Sequence, residues 1–434
     1  MTVAAAGAVL GVLALVLGAG VWVGLALFAP GLAGLAIFRS LPVEKLLAQL
    51  TWNATTTPEL IALPLFILMA EILFHSRLSA SLFAGLAPWT TRLPGRLLHV
   101  NVLGCTMFAA ISGSSAATTA TVGRITLTEL LRRGYDRDLA MGSLAGAGTL
   151  GFLIPPSIIL IIYGVLAETS ILKLFLAGII PGLMLAVLYM AWLGIRTSWK
   201  ASLAPDEAET MSLADKLLGL RHLGPVVFLI LAVLGSMYGG IASPSEAAAV
   251  GVLGALIVSA VQGTLNWETI RKASLGAVRT ISMIGLIVAG AYFLSIAMGF
   301  LGVPRMIAGE IAALNLSPIA LIVLLLVFYA ILGCVLEGMS SIVMTLPITL
   351  PLVTAAGFDK IWFGVFLVIV VEMAQITPPV GFNLFVIQGM TGERIGRIAR
   401  ATLPFFLIMA GLALLITFVP EVVTFLPNAI SLGH

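Results

Sequence analysis

Apolar residues fill the chain in runs of about 20, the length at which a helix crosses a bilayer, and the polar breaks between runs are short. About ten to twelve crossings or hairpin arms follow from this spacing. Residues 1–38 are apolar and Gly-rich, 41–57 form a polar break, and a span is predicted over 58–75. Residues 76–98 carry Arg77, Arg92, Pro94 and Arg96 and read as an amphipathic, interfacial stretch. Ordinary spans are predicted over 171–195, 223–241, 244–263, 280–300 and 400–425, with a polar-flanked connector over 304–315. Residues 196–222 form the most charged loop, with Arg196, Lys200, Lys216 and Arg221 beside four acids.

Four segments depart from this pattern. Residues 99–131 are apolar but interrupted by Ser112-Gly113-Ser114-Ser115 and then Thr118, Thr119 and Thr121. The arms this leaves, about 12 to 16 residues, are too short for two full spans, so a helical hairpin entering and leaving by one face is predicted. Segment 138–168 can cross, yet Gly146, Gly148, Gly151, Pro155 and Pro156 sit at its middle. Proline there removes a helical hydrogen bond, so two half-helices joined by unwound backbone are predicted. The same order returns over 317–353, a hairpin interrupted at Glu337-Gly338-Met339-Ser340-Ser341 with Pro347 and Pro351 in its second arm. It continues over 361–390, a span broken between Gln375 and Asn383.

The residues themselves repeat. Gly134-Tyr135-Asp136-Arg137, seventeen residues and Pro155-Pro156 match Gly357-Phe358-Asp359-Lys360, seventeen residues and Pro378-Pro379, at a spacing of 223. These are the only two Pro-Pro pairs. A Leu-Gly-Cys triplet precedes each hairpin tip, at 103–105 and 332–334. Matched broken helices in two halves of a membrane protein point to a midplane binding site between repeats.

Charge orients the halves. Arg92 and Arg96 precede the first hairpin and Arg132, Arg133 and Arg137 follow it, whereas no Lys or Arg occurs from 306 to 359 and then only Lys360. The positive-inside rule places the loop 196–222 and the mouth of the first hairpin in the cytoplasm and opens the second hairpin away from it. The predicted fold is therefore all-α and polytopic, with inverted repeats, two re-entrant hairpins and two discontinuous helices.

Composition agrees: of 434 residues 60% are hydrophobic and 9% charged, against about 25% charged in soluble domains. The net charge of +3 comes from residues in short loops beside apolar runs, which argues for topology and against nucleic acid. The first basic residue is Arg39, so residues 1–28 lack the basic start of a secretory signal and read as a retained membrane anchor. Cys105 and Cys334 are too few for a disulfide framework. His75, His99, His222 and His434 have no metal-ligand spacing. No nucleotide loop or catalytic triad occurs, so neither an enzyme nor an organic cofactor is expected.

Irregular backbone survives at membrane depth only when buried in protein or lining a site. Ser112, Ser114, Ser115, Thr149, Ser340, Ser341, Thr377 and Asn383 place neutral oxygens at the four interruptions. Half-helix N-termini favour an anionic substrate group, and free carbonyls favour a cation. A proton relay calls for a chain of intramembrane acids or histidines; neutral donors suit sodium better. Close helix packing also explains Ser/Gly stretches. Glu337, at a predicted tip, can tune a cation site, pair with backbone donors or face a watery cavity; Glu372, six residues before Pro378, is compatible with a structural role.

The motifs Ile111-Ser112-Gly113-Ser114-Ser115-Ala116, Gly148-Thr149-Leu150-Gly151 leading to Ile154-Pro155-Pro156-Ser157, Ser243-Pro244-Ser245-Glu246-Ala247-Ala248 and Ile376-Thr377-Pro378-Pro379-Val380-Gly381 resemble those of one family. It is the large membrane subunit (M, or DctM-like) of the tripartite ATP-independent periplasmic, or TRAP, transporters, and the likeness extends over essentially the whole chain. It implies an elevator-type transporter of the bacterial or archaeal cytoplasmic (inner) membrane, in contact with membrane lipids. Uptake of an organic acid anion (a C4-dicarboxylate, sialic acid or keto acid) is driven by a sodium gradient. The implied partners are a periplasmic substrate-binding protein and a small four-helix membrane subunit, expected as a separate chain if present.

The resemblance places one sodium site at Ser112, Gly113, Ser114 and Ser115 with Gly148, Thr149, Gly151 and Pro155. It places a second at Glu337, Gly338, Ser340 and Ser341 with Thr377, Pro378, Gly381 and Asn383, and substrate near Ser115, Pro156, Ser157, Thr377 and Asn383. The expected division is scaffold over 1–98, 171–316 and 393–434, and a moving transport domain over 99–170 and 317–392. Two other readings stay open on the residues alone: a binding-protein-independent dicarboxylate/sodium symporter or ion antiporter, and a non-transporting membrane scaffold.

Overall fold

The computed structural model describes residues 2–39, 41–205, 213–313, 317–334, 336–379 and 381–431. Residues 206–212 of the charged loop, 314–315 of the connector, Val380 of the second break and the C-terminal His434 lie outside them. No strand occurs among the described residues, and seven helices are long and apolar enough to cross a membrane, or eight if one bent pair counts as a span.

The apolar N-terminal stretch forms α1 (Thr2–Gly18), a one-turn α2 (Val23–Ala26) and α3 (Phe28–Phe38), with α1 packed on α3. Residues 41–57, expected as a polar break, instead form α4 (Val43–Thr55). Val43, Leu46, Leu47, Leu50 and Ala54 recur at helical spacing, and Leu50 and Ala54 are buried. A 52° bend joins α4 to the segment 58–74, which ends in α5 (Ala62–Phe74). The stretch 76–98, expected to be interfacial, contains α6 (Leu78–Thr90).

The first irregular pair follows as predicted: a hairpin of α7 (Leu98–Ser112) and α8 (Ser115–Arg132), then a broken span of α9 (Arg137–Gly148), α10 (Leu150–Leu153) and α11 (Ile158–Leu166). Helix α12 (Ile171–Trp199) overruns its predicted end, and α13 (Leu213–Tyr238) starts early, so Lys216 and Arg221 are helical rather than in a loop. Then come α14 (Pro244–Val261), α15 (Trp267–Leu301), which begins well before residue 280, and α16 (Val303–Ala313). The second hairpin is α17 (Pro318–Gly333) and α18 (Gly338–Ala355), and the second broken span is α19 (Lys360–Gln375) and α20 (Phe382–Thr391). The chain ends in α21 (Ile395–Phe418) and an additional α22 (Glu421–Ser431) that hydrophobic runs did not reveal.

The repeated tetrapeptides are helix stop-and-start signals. Gly134 (φ 82°) and Gly357 (φ 91°) take the left-handed conformation that ends a helix. Behind each, paired backbone bonds close the last turn: Gly134 N–H to Leu131 O and Tyr135 N–H to Leu130 O, matched by Gly357 N–H to Thr354 O and Phe358 N–H to Val353 O. Two residues on, the carboxylate of Asp136 accepts from Leu139 N–H (2.8 Å) and that of Asp359 from Ile361 and Trp362 N–H (2.7 and 3.0 Å). Each caps a new helix at its N-terminus.

Contacts at the helix ends fix the direction of each half. At one face, Arg137 pairs with Glu393 (2.6 Å) and Arg397 with Asp138 (2.6 Å), so α9 begins where α20 ends. At the other, Tyr163 donates to Lys360 O (2.6 Å) and Lys360 Nζ to Ala167 O (3.1 Å), so α11 ends where α19 begins. The broken spans are therefore antiparallel, and the repeats are inverted. The first hairpin opens at the Arg137 face, where Arg96 also donates to Pro205 O and Asp136 N–H to Leu203 O. The second runs from Ala355 directly into Lys360 at the opposite face.

The broken spans lie at the centre. Every residue from Trp362 to Gln375 is buried, as is every residue from Leu139 to Gly148. Small residues permit this: a Cβ on Gly142 would overlap Ala401 O, so α9 and α21 touch almost backbone to backbone. The two halves also exchange partners, α20 packing on α8 and α11 on α18. Helices α12 and α21 pack chiefly on the hairpins and broken spans and α22 packs on α12, whereas α3–α6 and α13–α15 pack chiefly on one another, with α5 and α6 also against the first hairpin and α15 against α18.

Candidate functional site

The first hairpin tip is a two-residue reversal. Gly113 closes α7 in the left-handed conformation (φ 59°), and the Ser114 hydroxyl accepts from Ala117 N–H (3.4 Å) to cap α8. The tip seats in the first break: Ile158 N–H donates to Gly113 O (3.3 Å), and a Cβ on Gly113 would lie 2.7 Å from Pro156 O. A Cβ on Gly151 would lie 2.5 Å from Ser114 O, and one on Gly148 would overlap the Thr119 hydroxyl. Helix α11 restarts at Ser157, whose hydroxyl accepts from Leu160 N–H (3.3 Å). Thr149 bonds back to Gly146 O and lies 3.3 Å from the Tyr189 hydroxyl.

Ser115 is the hub of this region. Its hydroxyl lies 3.1 Å from Gly148 O and 2.9 Å from Glu372 Oε2, and accepts from Asn383 Nδ2 at 2.8 Å. Ser112 reaches Thr118 across the tip (2.8 Å). Five of the residues expected together at the first site, Ser112 to Ser115 and Gly148, are thus contiguous, with Gly151 in van der Waals reach.

The second tip uses a different cap. Glu337 extends between the arms, and its carboxylate accepts from Ser340 N–H (3.2 Å), while Ser341 Oγ donates to Glu337 O (3.1 Å). Gly338 abuts α19, where an added Cβ would lie 2.8 Å from Gln375 Nε2. In the break, Thr377 donates to Met373 O (2.7 Å), and Gly381 (φ 42°) approaches Thr377 O. Pro378 and Pro379 are exposed, whereas Pro155 and Pro156 are buried; both diproline bonds are cis. Among the described residues no hydrogen bond joins Ser340 or Ser341 to Thr377 or Asn383.

Asn383, expected with the second tip, reaches instead to the first. Its position just after the Gly381 turn starts α20, and α20 packs on α8. Of the residues grouped near substrate, Ser115, Pro156, Ser157 and Asn383 are buried around the first tip and Thr377 lies apart at the second break. Gln375, Tyr189 and the tie between Glu372 and Ser115 were not foreseen. An intramembrane acid marks Glu372 in the sequence, but its partner is 257 residues away.

The donor set fits a hard cation. Glu372 Oε1 and Asn383 Oδ1 are buried without a hydrogen-bond partner, and buried polar atoms are rarely left so.

The family of the DctM component of tripartite ATP-independent periplasmic transporters matches residues 10–422. The chain belongs to this family. The permease is 33% identical over 375 residues to the C4-dicarboxylate TRAP transporter large permease protein DctM of Pseudomonas aeruginosa, covering 86% of this chain and 87% of that one. It is 32% identical over 415 residues to the isethionate TRAP transporter permease protein DctMQ of Oleidesulfovibrio alaskensis, covering 95% of this chain but only 64% of that longer relative. Its fold matches the YdaH transporter of Alcanivorax borkumensis with a TM-score of 0.63 at 15% identity, covering 88% and 89% of the two chains. The match to MtrF of Neisseria gonorrhoeae has a TM-score of 0.59 at 12% identity and covers 86% and 83%. The permease is a multi-pass protein of the bacterial inner membrane, and its relatives are transporter subunits rather than enzymes.

Proposed function

We propose that the chain is the permease subunit of a sodium-gradient-driven importer of an organic acid anion, supplied by a periplasmic binding protein and completed by a small four-helix membrane subunit. The observation that carries this reading is the pair of antiparallel broken spans, each flanked by a hairpin tip, with unpaired buried oxygens at the first. Relatives transport C4-dicarboxylates, isethionate and, in Escherichia coli, 2,3-diketo-L-gulonate, by their names. The class they share is a small polar acid. The fused DctMQ relative supports a second membrane component.

Four helix N-termini, those of α8, α11, α18 and α20, start at the interruptions. Their partial positive charge favours an acid anion there, while the carbonyls ending α7, α10, α17 and α19 favour a cation. We assign one sodium site to Ser112, Gly113, Ser114 and Ser115 with Gly148, Thr149, Gly151 and Pro155. The second goes to Glu337, Gly338, Ser340 and Ser341 with Thr377, Pro378 and Gly381. Bound sodium would supply positive charge at the tips, and its gradient across the membrane the driving force; the chain's own residues hold the hairpin tips against the breaks. Packing supports a moving unit of α7–α12 and α17–α22, larger than the division expected from sequence, sliding against α3–α6 and α13–α15. The Arg-rich face lies toward the cytoplasm.

The test is uptake into proteoliposomes containing both membrane subunits, with binding protein and radiolabelled C4-dicarboxylate, isethionate or keto acid outside. Uptake is expected only with an inward sodium gradient; equal rates with choline would refute sodium coupling. Transport by this chain alone would place it among binding-protein-independent carriers.

A further inference from the structure

Glu372 is a fully buried carboxylate in the last turn of α19, and none of the ion pairs among the described residues includes it. The carboxylate takes the Ser115 hydroxyl at 2.9 Å on Oε2 and is approached by the Phe152 backbone N–H, but Oε1 is buried without a hydrogen-bond partner. Asn383 repeats the arrangement: its amide nitrogen donates to the same hydroxyl at 2.8 Å, and its oxygen is buried without a partner. A hydroxyl has one proton to give, yet Ser115 faces two acceptors, Gly148 O and Glu372 Oε2. The cluster is short of positive charge and of donors together. A structural carboxylate buried in a bundle satisfies both oxygens or pairs with a cation; this one does neither.

We infer that Glu372 and Asn383, both from the second repeat, complete the cation site at the first hairpin tip, Glu372 Oε1 and Asn383 Oδ1 serving as ligands. This rests on the sodium-coupled reading above and adds two things to it. The site carries one formal negative charge, which matches one monovalent cation. It also spans the repeats, so a bound ion ties α19 and α20 to the start of α8, the helix that Ser115 opens.

The experiment is a sodium titration of the purified full-length chain in detergent, choline chloride keeping ionic strength constant, read as the sodium-dependent rise in unfolding temperature. Glu372→Gln keeps the shape and removes the charge. Its apparent Kd for sodium is expected to be weaker by fivefold or more, with the midpoint in pure choline little changed. A change below fivefold, or a loss of midpoint in choline with unaltered sodium dependence, overturns the inference while leaving sodium coupling intact. Should the variant not yield folded protein, Asn383→Ala is judged by the same limit. A wild-type chain without any sodium response overturns the inference and the sodium-coupled reading together.

Discussion

Gly357 separates backbone conformation from packing, since its φ is 91° and nothing lies within 4 Å of an added Cβ. Gly357→Ala therefore meets only the left-handed penalty, about 1–2 kcal/mol, and a modest fall in the unfolding midpoint in detergent is the expected reading. Gly151 is the opposite case. A Cβ there strikes the Ser114 carbonyl and the Ser115 Cα, both backbone, so neither can swing aside. Gly151→Ala should cost about 1–3 kcal/mol as overpacking and should weaken sodium binding as it pushes the tip from the break. Unchanged sodium affinity in a folded Gly151→Ala protein would show that the tip need not seat there. Both glycines could be picked out in the sequence, Gly357 by its repeat and Gly151 by its place before Pro155-Pro156. The different reasons for the two glycines could not be read there, because they depend on what lies opposite.

Among elements, the starts of the two broken spans are set locally. Asp359 satisfies two otherwise unpaired N–H groups of α19. Asp359→Ala should cost about 0.5–2 kcal/mol, and Asp359→Asn or Ser much less, measurable as a graded series of unfolding midpoints. Equal losses for all three would mean that the carboxylate acts other than as a cap. Element types were legible wherever apolar runs, Gly-Phe-Asp-Lys-like signals and diprolines spoke for them. Helix α4 was missed because Glu44, Lys45, Gln49 and Asn53 make its exposed face read as a break. Helix α22 was missed because it is short and its polar residues mask an apolar face that packs on α12. Both are amphipathic, and only a partner decides that such a segment stays helical.

For the whole molecule, the proposed division into a moving unit and a scaffold predicts sliding where α15 meets α18. A crevice of about 120 Å³ there is lined by Ala291, Tyr292, Ser295 and Ile296 on one side and Val343, Leu346, Pro347 and Leu350 on the other. With Cys105 and Cys334 replaced by Ser, Ser295→Cys and Leu346→Cys joined by a short bifunctional thiol reagent should stop uptake and leave sodium binding in place. Transport that persists after complete cross-linking would show that α18 does not travel past α15.

The sequence by itself determined that this chain lives in a membrane, that it holds two matched hairpins and two broken spans, and that the halves face opposite ways. Those features follow from run length, from prolines and glycines that end helices and from where arginines are allowed, all of which act within about twenty residues. The tertiary structure alone decided that Asn383 and Glu372 belong with Ser115, and that α12 and α21 pack chiefly on the broken spans. Exchange of partners between the repeats brings together side chains more than 250 residues apart, and such pairings are set by packing between helices rather than by pattern along them.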